Sequence, residues 1–368
     1  MKGTIRQRGR DTWQLVYDLP PGPDGKRKQK TETVRGPKKA AQIRLRELLG
    51  AVDQGRVADP GKMTLGQYMD DWLAGLDRAG STLERYESII RLSIKPNLGH
   101  IKLSAITALH IETFYRTQRE KLSGATVRLF HAILSKSLGR AMKLGLIIRN
   151  PCADVEAIPK ADKKAVRFLT PEQKHRFIMA TEGSPYRPMI MTALATGMRL
   201  SELRGLHWKD VDLKAGVIHV RHSADRHDVI IDHMKSKASR RSITIPPVLV
   251  EILQDHHRHL LEEKMRLRPI WQDLGLVFPR ADGSVLGIRQ LNRPLKRLAD
   301  KAEVDVHFHG LRHTHASDLI AAGVHAKVIS ERLGHSSIVI TLDRYGHLFP
   351  GSQDQAAAAI DAMLRASM

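Results

Sequence analysis

Two breaker-rich stretches constrain what this chain can fold into: "VADPGKM" at 57–63 and "RNPCADVEAIPKADKK" at 149–164. Pro151 and Pro159 cannot continue a helix, because proline lacks a backbone N–H and its ring clashes with the preceding turn. Strongly patterned segments lie on both sides of each stretch. At 368 residues the chain also exceeds what one ordinary core holds. We therefore expect three domains, over 1–58, 64–155 and 165–368, with the second linker near 155–166.

The first of these reads as a small sheet with one helix. In "TWQLVYDL" Trp13, Leu15 and Tyr17 alternate on one face, the period of a half-buried strand. Asp24-Gly25 is a hairpin dipeptide, and "KQKTETV" follows as the next strand. "GPKKAAQIRLRELLGAVDQG" is helical, with Pro37 placed for its first turn and Gly50 and Gly55 weakening its end. Arg6, Arg8 and Arg10 on the first strand should face away from that helix. The middle segment is helical throughout: Thr64 caps "TLGQYMDDWLAGL", a Ser81/Glu84 capping box opens "STLERYESIIRLSI", and two longer helices follow. Beyond 165, Thr170 caps a helix that begins at Pro171, and "PYRPMIMTALATG" ends at Gly197. "GVIHVRH", "DVIIDHM" and "RRSITIP" read as three antiparallel strands, and from His309 onward the pattern is helical. The expected class is α+β and multidomain: a three-stranded N-terminal sheet plus helix, an all-α helical domain, and a mainly α third domain with a small antiparallel sheet.

Charge narrows the partner. There are 60 Lys and Arg against 39 Asp and Glu, a net charge of +21. Residues 1–60 carry 14 basic and 7 acidic side chains, 61–160 carry 15 and 9, and 161–368 carry 31 and 23. A basic tail would concentrate the excess in one block. An excess in every segment suits a surface that follows a polyanion and binds it by releasing counterions, so nucleic acid leads the partner classes. No apolar run approaches the ~18 residues of a membrane span. "MKGTIRQRGR" has no apolar core of a secretory signal, so we expect no leader. Cys152 is the sole cysteine. That excludes an intramolecular disulfide and a Cys-rich zinc site, and a reducing cytoplasm fits.

Four patterns in the last segment carry chemistry. "ATGMRLSEL" puts Arg199 after a Gly-marked helix end, with Glu202 one turn on and on the same face. "MKSKASRRSI" sets a lysine at a turn between strands; Lys235, nearest the second strand, is preferred to Lys237. "HGLRHTH" spaces His309 and Arg312 three apart on one helix. "LGHSS" and "TLDRYGH" present His335 and Tyr345. Each alone is weak. Tyr345 alone reads as a packed aromatic. His309 and His313 have zinc-ligand spacing, with His307 and His315 close by, yet no completing carboxylate or third histidine is evident. "VISERLGHSSIVITLDRYG" has the spacing of a helix-turn-helix with Gly334 at the turn, which would make the protein a regulator.

Together, and in this order, these patterns resemble the tyrosine recombinase (phage integrase) family over nearly the whole chain. The resemblance implies a catalytic set of Arg199, Lys235, His309, Arg312 and His335, with Tyr345 as the nucleophile that forms a 3′-phosphotyrosyl link to DNA. Glu202 would steady Arg199 or a neighbouring histidine. Residues 1–58 would be an arm-type DNA-binding domain, with Arg6, Arg8, Arg10, Lys26, Arg27 and Lys28 as candidate contacts. Residues 64–155 would bind the core-type site, and 165–368 would cleave. The C-terminal helix would pack on a neighbouring protomer, against the plainer expectation that it docks on its own domain. Implied partners are double-stranded attachment sites, a homotetramer on synapsed DNA, a host DNA-bending protein and an excision factor. Localisation would be with the nucleoid, and no cofactor or metal is implied. A Xer-like or resolvase-type enzyme is the alternative within the same chemistry. His347 falls outside the pattern.

The residue types suit that chemistry. Attack on a phosphodiester puts charge on two non-bridging oxygens, and fixed cations aimed there are the largest available catalytic effect. Arginine serves best, with a fork of donors that keeps its charge. A tyrosine hydroxyl ionises near ~10, so it needs a proton acceptor, for which His309 is the candidate. Lys235 is placed to protonate the departing 5′ oxygen and His335 to donate to a non-bridging oxygen.

Overall fold

The computed structural model describes residues 3–19, 28–53, 63–77, 80–160, 167–232, 240–349 and 352–368. The chain divides into two units, Met1–Lys164 and Ala165–Met368.

In the first unit β1 (Gly3–Gly9), β2 (Thr12–Leu19) and β3 (Lys28–Arg35) form an antiparallel meander, followed by α1 (Lys38–Asp53). The expected alternation holds: Leu15 and Tyr17 are buried with Ala41, Leu45 and Leu48 of α1, and Trp13 packs at the edge of that cluster. Gly36 takes φ +128°, which a side chain would resist, and its carbonyl accepts the Trp13 indole N–H at 2.9 Å. That contact ties the sheet to the helix start. Pro37 stands just ahead of α1, whereas Gly50 lies inside the helix and not at its end. Arg6, Arg8 and Arg10 are exposed, and Arg8 donates to Gln14 Oε1 across the strands at 2.8 Å. Lys26, Arg27 and the Asp24-Gly25 turn lie outside the described residues, as does the Lys28 side chain.

The same unit continues with α2 (Leu65–Ala74), α3 (Gly80–Ile89), α4 (Lys95–Leu98), α5 (Ala108–Arg119) and α6 (Gly124–Lys143). Thr64 caps α2 with Gln67 completing a capping box, and Ser123 caps α6. Ser81 falls inside α3, not ahead of it. Between α3 and α4 the helix widens over Ile90–Ile94, where the Lys95 N–H reaches back five residues to Ile90. Pro96 has no N–H for the normal ladder there, which accounts for the wider turn. Leu65, Met69, Ile94, Ile111, Val127 and Leu134 make the core.

The second unit holds α7 (Pro171–Ala180), α8 (Arg187–Thr196), α9 (Leu200–Arg204), β4 (Val211–Asp212), β5 (Val217–Val220), β6 (Ser223–Ala224), β7 (Ile230–Ile231) and β8 (Arg241–Thr244). It continues with α10 (Pro247–Arg266), α11 (Ile288–Lys301), α12 (Phe308–Ala321), α13 (Ala326–Leu333), α14 (Ile338–Tyr345) and α15 (Ser352–Ser367). Thr170 caps α7 and Pro171 begins it, as expected. The strands pair differently from the sequence expectation. The sheet order is β4-β5-β8, and β7 pairs with β6 in a separate ribbon. Ile218 and Ile243 are fully buried, whereas Val229 is 56% and Ile231 36% exposed. Ile230 packs instead beside Ala224, Leu276 and Val285, and β8 takes the place beside β5. The core runs through Phe177, Ile190, Leu203, Ile218, Ile243, Val277 and Leu311. Buried Thr314 of α12 accepts the Leu169 N–H at 3.0 Å, fixing α12 beside the start of the unit. No helix among the described residues is long and apolar enough to cross a membrane.

Candidate active site

Gly197 ends α8 in the left-handed region, at φ +65°. A Cβ there would come within 2.7 Å of both the His315 and Leu333 side chains. Only glycine lets α8, α12 and α13 meet this closely. Two residues on, Arg199 caps α9: its N–H donates to Glu202 Oε2 at 2.8 Å and its Nη1 to Oε1 at 2.7 Å. Arg241 of β8 grips the same carboxylate from the other side, at 3.1 and 2.9 Å. Glu202 is 2% exposed. Burial alone would raise its pKa; Arg241 and then Arg199 outweigh that and hold the carboxyl below its usual range.

The three arginines then converge on one helix end. The last carbonyls of a helix have no partner within it and carry the negative end of its dipole. At the end of α13, Arg241 Nε donates to Arg332 O at 2.6 Å, Arg312 Nη2 to Leu333 O at 2.8 Å, and Arg199 Nη2 to Gly334 O at 2.9 Å. Arg312 also donates to Gly197 O at 2.7 Å. Three consecutive carbonyls thus receive guanidiniums from β8, α12 and the start of α9. Arg312 is buried, and burial followed by repulsion from Arg199 pushes its pKa to about 9, so it stays charged at neutral pH.

His335 follows directly, after Gly334 at φ +67°. Its Nδ1 lies 2.8 Å from Thr341 Oγ1. Burial, then Arg312 and Arg199, push its pKa to about 3, so the ring is neutral. Tyr345 is the last residue of α14 and fully buried. Its ring packs with Ala316, Ile320, Ile329 and Leu333, and its hydroxyl meets His313 Nδ1 at 2.6 Å. Burial raises the phenol pKa above its ordinary value, with Arg312 and Arg344 opposing. His309 reaches solvent; its ring stands edge-on to His313 at 4.5 Å, and Arg344 Nη1 donates to its Nε2 at 3.4 Å. Desolvation by the surrounding protein, then Arg312 and Arg344, push His309 to about 4.

Arg199, Glu202, Arg312, His335, Tyr345 and His309 are therefore gathered around α12, α13 and α14. Lys235 and Lys237 lie outside the described residues, in 233–239 between β7 and β8. The imidazole on the tyrosine hydroxyl is His313, not His309. His313 and Arg241 were missed as site residues. Arg241 carried a signal: it is in phase with buried Ile243 and Ile245, so alternation alone turns a charge inward. His313 drew notice only for metal spacing. Of that histidine cluster, His313 Nδ1 is taken by Tyr345, while His315 Nδ1 donates to Leu194 O at 2.8 Å and its Nε2 accepts from Arg332 Nε at 3.1 Å. Among the described residues, His207, Asp210 and His222 do bring ligand-type atoms within 4.8 Å of one another. Arg221 (3.0 Å) and His222 (2.8 Å) already satisfy Asp210 there. His347 is exposed.

Residues 167–351 match the phage integrase family, and 64–117 match the N-terminal SAM-like domain of phage integrases. The chain belongs to the phage integrase family of tyrosine recombinases. Like its family, this recombinase cleaves and rejoins DNA. It is 28% identical over 349 residues to the XerC-like tyrosine recombinase of Caldanaerobacter subterraneus subsp. tengcongensis, covering 88% of this chain and 89% of that one. The Tn1549 transposon integrase in complex with a circular intermediate DNA has the same fold, with a TM-score of 0.67 at 22% identity over 82% of this chain and 99% of that one. A lambda integrase tetramer bound to a Holliday junction aligns with a TM-score of 0.58 at 19% identity, over 90% and 95%. The helix-turn-helix reading fails, because the pair α13–α14 belongs to a recombinase catalytic unit.

Proposed function

We propose that this recombinase integrates or excises a phage or other mobile element at specific attachment sites, with Tyr345 attacking the scissile phosphate to leave a 3′-phosphotyrosyl bond. The observation that carries this reading is the convergence of Arg199, Arg312 and His335 at the end of α13, beside a tyrosine whose hydroxyl already sits on an imidazole. Arg199 and Arg312 hold the non-bridging oxygens, their orientation fixed by carbonyls. His335 Nδ1 faces the Thr341 hydroxyl, and in the tautomer with the proton on Nε2 the ring offers that proton to the same oxygens. A lysine in 233–239 protonates the 5′ oxygen; Lys235 is our choice, and the segment leads directly into Arg241 of the site. Energy of the broken linkage stays in the phosphotyrosyl bond, so religation needs neither nucleotide nor metal.

Residues 1–58 serve as the arm-type domain, with exposed Arg6, Arg8 and Arg10 toward DNA, together with Lys26, Arg27 and Lys28. Residues 64–155 clamp the core site, and 165–368 cleave. Four protomers act on synapsed DNA, each lending α15 to a neighbour. The exposure of Ile360, Met363 and Leu364 on α15 supports that exchange. A host bending protein and an excision factor complete the assembly on the nucleoid.

A duplex nicked beside the cleavage site traps the intermediate, because the small 5′ fragment diffuses away. Wild-type protein should give a covalent adduct that persists in chelator, and Tyr345→Phe none. Sequence-specific binding without any adduct would favour a regulator instead.

A further inference from the structure

Tyr345 is fully buried, so whatever touches its hydroxyl governs its attack. Among the described residues its hydrogen bond is to His313 Nδ1, at 2.6 Å. The buried phenol stays protonated and its proton has no other acceptor among the described residues, so we take the hydroxyl as donor and the imidazole as acceptor. The imidazole is held on both sides: edge-on to the Tyr345 ring at 5.6 Å, and edge-on to His309 at 4.5 Å. Arg344, the residue before the nucleophile, donates to His309 from the far side. His309, the sequence candidate for this proton, is one ring removed from it.

We propose that His313 is the group that takes the Tyr345 proton. This rests on Tyr345 being the nucleophile. As Oη bonds to phosphorus, the Oη–H bond breaks and its proton passes to His313 Nδ1. The bond from phosphorus to the 5′ oxygen breaks, and that oxygen is protonated by the lysine of 233–239. In religation the 5′ hydroxyl returns its proton to that lysine as it attacks, the Oη–P bond breaks, and the His313 proton returns to Oη. Nothing is oxidised or reduced.

The surroundings of His313 weaken it as a base while no DNA is bound. Without DNA, burial first, then His309, Arg344, Arg312 and His307, push His313 to about 4. With the phenol held above its ordinary value, the proton then rests on tyrosine. An anion bound by Arg312 and Arg199 offsets the cationic share of that depression and strengthens the base.

Adduct formation by full-length protein on the nicked duplex tests this in single turnover. His313→Ala should be at least a hundredfold slower with DNA affinity unchanged. His313→Asn keeps an acceptor for the hydroxyl but takes no proton, and should be equally slow; it reports the same point should the alanine variant melt early. Sulfur in place of the bridging 5′ oxygen lets the leaving group depart without an acid. It should rescue Lys235→Ala but neither His313 variant. 3,5-Difluorotyrosine at 345, which ionises more readily, should partly restore His313→Ala. A rate for His313→Asn within threefold of wild type would leave His313 a positioning residue and overturn the proposal, as would rescue by sulfur. If unaltered protein gave no adduct, Tyr345 as nucleophile would fall, and this with it.

Discussion

Arg312 gives two of its donors to main-chain carbonyls, Gly197 O and Leu333 O, and leaves the rest of its fork for an anion. Lysine cannot reproduce that geometry. We expect Arg312→Lys to slow single-turnover cleavage by about 100–1000-fold, some 2.7–4 kcal/mol of transition-state stabilisation, with DNA binding largely kept. His315 carries a pH prediction. Burial, then Arg332, hold its pKa at about 3 in the folded chain, against ~6.5 when unfolded. The unfolded state takes up the proton first, so stability is intact above ~6.5 and falls as pH drops toward 3, by up to about 1.4 kcal/mol per pH unit. Urea midpoints at pH 7 and 4.5 check this, and His315→Gln should flatten the difference. The proposal of Tyr345 as nucleophile came only through its distant companions. Its partner His313 was not legible, because which of two edge-on histidines reaches the hydroxyl depends on how α12 meets α14.

At the scale of elements, the end of α13 is the joint on which the site turns. Glu202 organises it from beneath by pairing Arg199 and Arg241, each of which reaches on to a carbonyl of α13. Glu202→Gln removes the buried charge that both cations face, and we expect a loss of about 3–5 kcal/mol in unfolding free energy. Cleavage should drop as well, while Glu202→Asp retains part of each. Gly197→Ala should be comparably damaging, for it puts a Cβ into His315 and Leu333 from a strained backbone; the melting temperature reports it. The helix caps at Thr64 and Thr170 were readable because capping is a matter of three or four consecutive residues. The pairing of β5 with β8, past "DVIIDHM", was not, since strand partners are chosen by distant burial.

For the molecule as a whole, the +21 charge spread along the chain sets how it meets DNA. Binding should weaken steeply between 50 and 200 mM salt, as counterion release requires. Arg6→Ala with Arg8→Ala should lower the salt slope on arm-type DNA by about 2 and leave core-site cleavage unchanged. Charge and the order of motifs make a recombinase legible in the sequence. The arginine-capped helix end that builds its site is not, because those contacts join residues far apart in the chain. As proposed above, Tyr345 becomes the covalent carrier of DNA. Digesting the trapped adduct with trypsin and mapping the nucleotide-bearing peptide by mass spectrometry tests it directly. The 3′-phosphate is expected on Tyr345; its attachment to another residue, or its absence from wild-type protein on a competent site, would overturn Tyr345 as the nucleophile.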